Sequence, residues 1–293
     1  MCTTTEDATK ELFRLAARTP LNIAPEQGSK LQSEIFGSSK WNIKPSQTAA
    51  NFYAVPQDRT IFLSYAGLAS LWCVAYAAFH VANLVSQAQR SAEAEQTQID
   101  IGREFASLKI GAYITYAEDL FRKDQEWPAT ISQPQIDVAF DSSEGRVNNV
   151  FFGALSWILL HEIAHIYRDD EKFIPVDMQI RQEYLADDFA TRWILEGAGK
   201  GLKREFRVLV ICVALAWLFI GERVLGKGTD HPPAILRFRE AAALFQTGER
   251  SAGIENAAYI FKALLDPSTP SPPHDTPKAY FDWVSQRLEI LFG

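Results

Sequence analysis

Three long apolar runs divide the chain. Residues 60–89 carry no charged side chain, none lies between Arg146 and Glu162, and a third run extends from Val208 to Ile220. Ile61 to Val85 is long enough to span a bilayer. It is diluted by Ser64, Gly67, Ser70, His80, Asn83 and many alanines, and reads as a buried, Ala-rich packing helix rather than a membrane span. His80 within it reads as a hydrogen-bonded core histidine. Val208–Ile220 is short for a span and reads as a core helix. The central run is apolar nearly all round, which places it inside a core.

Amphipathic segments flank these runs. Residues 6–18 put Leu12, Phe13, Leu15 and Ala16 on one side and Glu6, Lys10 and Arg14 elsewhere, the spacing of a surface helix. A second such helix is predicted over 100–123, stopped by Trp127-Pro128. A last one over 280–291 would dock through Phe281, Val284, Leu288 and Leu291. Short strands are predicted at Trp41-Asn42-Ile43, at residues 51–55, and once or twice across 129–140. An exposed edge at 129–140 would let an extended peptide pair with it. Asp141-Ser142-Ser143 offers a helix cap, and Gly197 to Gly201 a helix end and turn. Four prolines, Pro20, Pro25, Pro45 and Pro56, break up residues 19–60. Together these elements predict a mainly α chain with a small β-sheet (α+β). Its order would be an N-terminal helix and loop-rich segment (1–60), a main domain (61–265), a Pro-rich linker (266–278) carrying an exposed His274, and a C-terminal docking helix (279–293).

The net charge of −7 and a pI near 5.4 exclude a nucleic-acid footprint. Three widely spaced cysteines, Cys2, Cys73 and Cys212, include no C-x-x-C pair, which argues against a cysteine-based metal site and suits a reducing cytoplasm. Met1 to Asp7 has an acidic pair and no apolar stretch, unlike a signal peptide. A cytoplasmic protein is expected, with peripheral association to the inner membrane left open by the apolar runs.

The central run ends in His161-Glu162-Ile163-Ala164-His165. Residues four apart share a helix face, so both imidazoles can address one tetrahedral metal ion. Glu162 is offset from that face and can serve as a general base. A His-Glu-His group in a core needs compensation, and a metal supplies it. The following helix, Arg181 to Leu195, puts Glu183 and Asp187 on one face and Leu185, Phe189 and Trp193 in an apolar row. A zinc peptidase site needs a third ligand and an acceptor for a ligand histidine's outward N–H. Glu183 and Asp187 fit those roles. His231, stiffened by Pro232 and Pro233, is the best candidate for a donor to the oxyanion, with Tyr184 and Tyr167 as weaker alternatives. The Gly-rich loop Gly226 to Asp230 before it would let a partner order that donor.

With these residues the chain resembles a gluzincin metallopeptidase: H-E-x-x-H on one helix, then Glu183 with Asp187 four later. Asp230 to Arg237, Asp-His-Pro-Pro…Arg, is similar to a downstream motif of CAAX-prenyl-type membrane peptidases. A closer resemblance is to the Lit-type phage-exclusion peptidases. It rests on Glu126-Trp127-Pro128, Leu155-Ser156-Trp157-Ile158 and Gln182-Glu183-Tyr184-Leu185-Ala186-Asp187, and covers roughly residues 60–240. That resemblance implies a gluzincin-like core, one Zn2+, and His161 as the partner of Asp187. It also implies cleavage of elongation factor Tu during phage infection, triggered by a phage-derived peptide.

Three other readings compete. The two motif helices are also similar to those of ImmA-type peptidases that inactivate repressors. A membrane-associated gluzincin peptidase would need detergent to stay in solution. A zinc-stabilised binding protein would have no use for Glu162.

Overall fold

The computed structural model describes residues 3–36, 41–93, 101–170, 174–229 and 231–293, the side chains of 89–102 excepted. Cys2 and Asp230 lie outside the described residues. The elements run α1 (Thr5–Ala16), α2 (Thr19–Ile23), the single turn α3 (Gly28–Lys30), β1 (Asn42–Ser46), β2 (Phe52–Val55), β3 (Thr60–Ser64), α4 (Tyr65–Glu93), α5 (Ile101–Ser107) and α6 (Ile110–Arg122). They continue with α7 (Ser143–Tyr167), α8 (Val176–Leu195), α9 (Leu202–Leu225), α10 (Ala234–Ala243), α11 (Ala252–Leu265) and α12 (Pro277–Phe292). The chain is mainly α with one small sheet, as its pattern predicts.

The sheet has the order β1-β3-β2, with β1 parallel and β2 antiparallel to β3. The strands at 42–46 and 52–55 match the predicted ones. β3 does not: Thr60 to Ser64 extends before α4 begins at Tyr65, although the uncharged run reads as one helix. Ile61 and Leu63 are fully buried, and a doubly buried strand shows the same unbroken apolar pattern as a buried helix. Residues 129–140 correct the prediction in the other direction. They form no strand, because side chains satisfy their backbone instead of a ladder. Tyr113 accepts from Ser132 N at 2.9 Å, and Asn148 Nδ2 donates to Gln135 O at 2.7 Å.

α7 is the central helix, packed by α2, α4, α8, α9 and β2. It starts where Ser142 Oγ accepts from Gly145 N at 3.0 Å, the predicted cap. A Cβ built on Gly153 would stand 2.6 Å from Val210 Cγ1, so only glycine lets α9 cross at that point. Trp157 Nε1 donates to Thr191 Oγ1 at 2.9 Å and pins α7 to α8 one turn before the histidines. The helices Tyr65–Ala88, Ser143–Tyr167 and Leu202–Leu225 are each long and apolar enough to cross a membrane. That corrects the expectation that the third is too short. In the fold their apolar windows are mostly buried within the protein.

Two predicted faces shift slightly. Leu185 is 39% exposed, outside the apolar row of Phe189 and Trp193, and Leu291 is 45% exposed. α12 instead docks through Tyr280, Phe281, Val284, Leu288 and Phe292. The predicted helix over 100–123 is two helices, α5 and α6, separated at Lys109, whose φ of 53° is left-handed.

Candidate metal centre

His161 and His165 lie one turn apart on α7, and their Nε2 atoms approach to 3.1 Å. Glu183, on α8, presents its carboxylate edge-on to both. Its Oε2 is 3.3 Å from His161 Nε2 and its Oε1 3.4 Å from His165 Nε2. One ligand atom from each of the three lies within 4.8 Å of the others. Glu183 Oε2 is buried and has no hydrogen-bond donor among the described residues.

Both imidazoles are held from behind. Asp187 Oδ1 lies 2.8 Å from His161 Nδ1, and Asp170 Oδ2 lies 2.9 Å from His165 Nδ1. A carboxylate at Nδ1 takes the ring N–H, which leaves the Nε2 lone pairs pointing at each other and at Glu183. Three lone-pair donors at such distances repel unless a cation or proton lies between them. Zinc–ligand bonds near 2.0–2.1 Å in a tetrahedron put neighbouring donors about 3.3 Å apart. The observed 3.1 to 3.4 Å separations fit that spacing, so the donor set fits a zinc ion.

Asp187 is itself clamped. Arg237 Nε donates to Oδ2 and Nη2 to Oδ1, both at 2.7 Å, while the guanidinium stands 5.7 Å over the Trp157 ring. Arg237 and Asp187 are both buried. Burial would push the Asp187 carboxyl up, but Arg237 and His161 outweigh it and hold it low. Glu183 is held low in the same way, its burial outweighed by the two histidines and Arg237. Burial alone would lower His165; the carboxylates of Asp170, Glu183 and Glu162 reverse this and raise it to about 10. Burial pushes the Glu162 carboxyl up.

A cleft of about 390 Å³ opens over these residues, lined by Phe52, Tyr53, His161, Glu162, Glu183 and His231 among others. His231 stands at its rim, with Nε2 3.8 Å from Glu183 Oε1 and its side chain 54% exposed. The fold therefore brings together His161, Glu162, His165, Glu183, Asp187 and His231. It leaves out Tyr184, which faces a separate hollow with Asp188 and Glu240. Tyr167 is about half exposed against Phe189.

The family model Peptidase U49 matches residues 61–257. The chain belongs to the Peptidase U49 family. A relative named Cell death peptidase, from Escherichia coli (strain K12), is 21% identical over 252 residues, covering 81% of this chain and 82% of that protein. No solved structure matches. The protein is thus a peptidase, and the matched span of this U49 peptidase contains His161, Glu162, His165, Asp170, Glu183, Asp187, His231 and Arg237.

Two of those residues were given no role by the sequence. Asp170 follows His165 by five positions, where helical periodicity ends. Asp169 turns with φ 53° and Asp170 N donates back to His165 O at 3.0 Å, which swings the Asp170 carboxylate under the ring. An acidic residue just past the second histidine is the signal that points to it. Arg237 was visible only within the Asp-His-Pro-Pro…Arg stretch. Its one-turn offset from Pro233, the residue preceding α10, is what aims it inward.

Proposed function

We propose that this U49 peptidase is a zinc-dependent endopeptidase with a gluzincin-like ligand set, His161, His165 and Glu183. The observation that carries the reading is the convergence of three lone-pair donors on one point, with two of them braced from behind by carboxylates. Zinc held there would supply a Lewis acid and an acidified water. Glu162, buried beside the site, takes up a proton and returns it to the leaving amine. His231 at the rim donates to the oxyanion. The sheet order makes β2 an edge strand, and Phe52, Tyr53 and Ala54 line the cleft. β2 therefore takes the part expected of 129–140 and pairs with an extended substrate.

For the substrate we take a host translation factor, elongation factor Tu, cut in the cytoplasm in response to a phage-derived peptide. The resemblance to the Lit-type peptidases and the name of the Escherichia coli relative support an abortive-defence role. The test is incubation of zinc-loaded protein with purified elongation factor Tu, with and without lysate of phage-infected cells. Cleavage by the wild type with lysate, and none by Glu162→Gln, is expected. Intact elongation factor Tu beside a cut lysate protein would overturn the substrate alone. Cleavage by Glu162→Gln at the wild-type rate would overturn the mechanism.

A further inference from the structure

A hollow of about 800 Å³ shares none of the cleft's lining residues. Its apolar walls include Leu15 of α1, Ile23 of α2, Phe140, Phe152 of α7 and Phe206 of α9. Phe140 is 78% exposed and Phe206 36%. The polar side chains of the wall fall into two groups. Ser156 Oγ donates to Phe152 O at 2.6 Å, and Asn149 Nδ2 to Phe140 O at 3.5 Å. Thr19 Oγ1 has no partner among the described residues but is closed off from solvent. Arg18 and Asn22 are exposed, and their side chains have no partner among the described residues. Asn22 N donates to Arg18 O at 3.0 Å, so the two side chains leave one face of a single helical turn. No acidic residue lines the hollow. Glu26, next to Pro25 of its wall, is taken by Lys203 and Arg207.

A mostly apolar hollow of this size with a few placed polar groups has the form of a small-molecule site. The exposed phenylalanines at its rim are apolar surface that an occupant would remove from water. An accessible guanidinium and an amide on the same face, with no carboxylate opposite them, suit an anionic head. One guanidinium matches the single charge of a carboxylate, which it can hold through two parallel N–H bonds. The second charge of a phosphate would go unanswered. A peptide fits the remaining wall poorly, because each of its buried N–H and C=O groups needs a partner and the other polar side chains there are committed or closed off. An alkyl tail needs none. We propose that this hollow binds a long-chain carboxylate, with its head on Arg18 and Asn22 and its tail across Phe140, Phe152 and Phe206. The site is independent of the peptidase reading.

The test is calorimetric titration of the full chain with octanoate, with its neutral counterpart 1-octanol and with the tailless acetate, all below micelle-forming concentrations. Octanoate should bind the wild type about tenfold more tightly than 1-octanol, because a hydrogen bond to a charged group is lost in the neutral ligand. Acetate should bind far more weakly than octanoate, because it covers none of the phenylalanines. Arg18→Gln, a change at an exposed side chain, should erase the preference for octanoate over 1-octanol. Equal binding of octanoate and 1-octanol by the wild type, equal binding of octanoate and acetate, or no binding of octanoate would overturn the proposal without recourse to a variant. A preference kept in Arg18→Gln would also overturn it. Octanoate should bind chelator-treated and untreated wild type equally. Loss of binding after chelation would place the carboxylate on a metal instead and overturn the proposal while supporting the zinc reading.

Discussion

At the residue scale, the site consists of two histidines whose chemistry is set by what lies behind them. Asp170 and Asp187 fix the ring N–H of His165 and His161 and free the opposite nitrogens. Asp170→Asn or Asp187→Asn should each weaken metal binding by about 10–100-fold, read by competition with a chromophoric chelator; unchanged affinity in both would remove the second layer from the account. Without a metal, the carboxylates of Asp170, Glu183 and Glu162 make His165 a strong base. Its folded value of about 10 lies above the ordinary 6.5. The stability it contributes to metal-free protein is then fully present below about pH 6.5 and lost as pH rises towards 10. Urea midpoints of chelator-treated protein should reflect this loss between pH 6.5 and 9, and His165→Gln should not. The motif histidines, Glu183 and Asp187 were legible because four-residue spacing fixes a shared face, and Glu162 because the H-E-x-x-H pattern sets it beside that face. Asp170 and Arg237 were not, because one depends on a turn after the helix and the other on a contact 50 residues away in sequence.

At the scale of elements, α7 carries the site only because α9 can cross it closely. Gly153→Ala would force a Cβ into Val210, and should cost about 1–3 kcal/mol in urea unfolding while leaving metal content unchanged. A loss of metal at full stability would mean that the helix crossing tunes the site rather than the fold. The helices α1, α4, α7, α8 and α9 were readable from apolar periodicity, since each buries a face or an entire run. Strand β3 was hidden inside an uncharged stretch, where burial on both sides removes alternation. The false strand at 129–140 shows the converse. The backbone there is satisfied by the side chains of Tyr113 and Asn148, and among the described residues no neighbouring strand supplies a ladder. α11 follows from a capped apolar run after Ser251, whose Oγ accepts from Ile254 N at 3.5 Å, a signal the linker-centred division of the chain passed over.

For the whole molecule, one hydrophobic cluster runs from Leu12 of α1 to Phe292 of α12. It holds α7 and α8 rigidly enough for ligands from two helices to meet within a few tenths of an ångström of a tetrahedral spacing. The sheet and the start of α10 then close the cleft from either side, β2 offering its edge and Arg237 locking Asp187. On this view the metal is bound by a finished fold, and the base can be removed without disturbing it. The most direct test is elemental analysis of purified protein together with a cleavage assay on the same samples. Wild type and Glu162→Gln should each carry about one zinc per chain, with cleavage lost only in Glu162→Gln, and His161→Ala/His165→Ala should carry none. Full zinc occupancy in His161→Ala/His165→Ala would contradict the account.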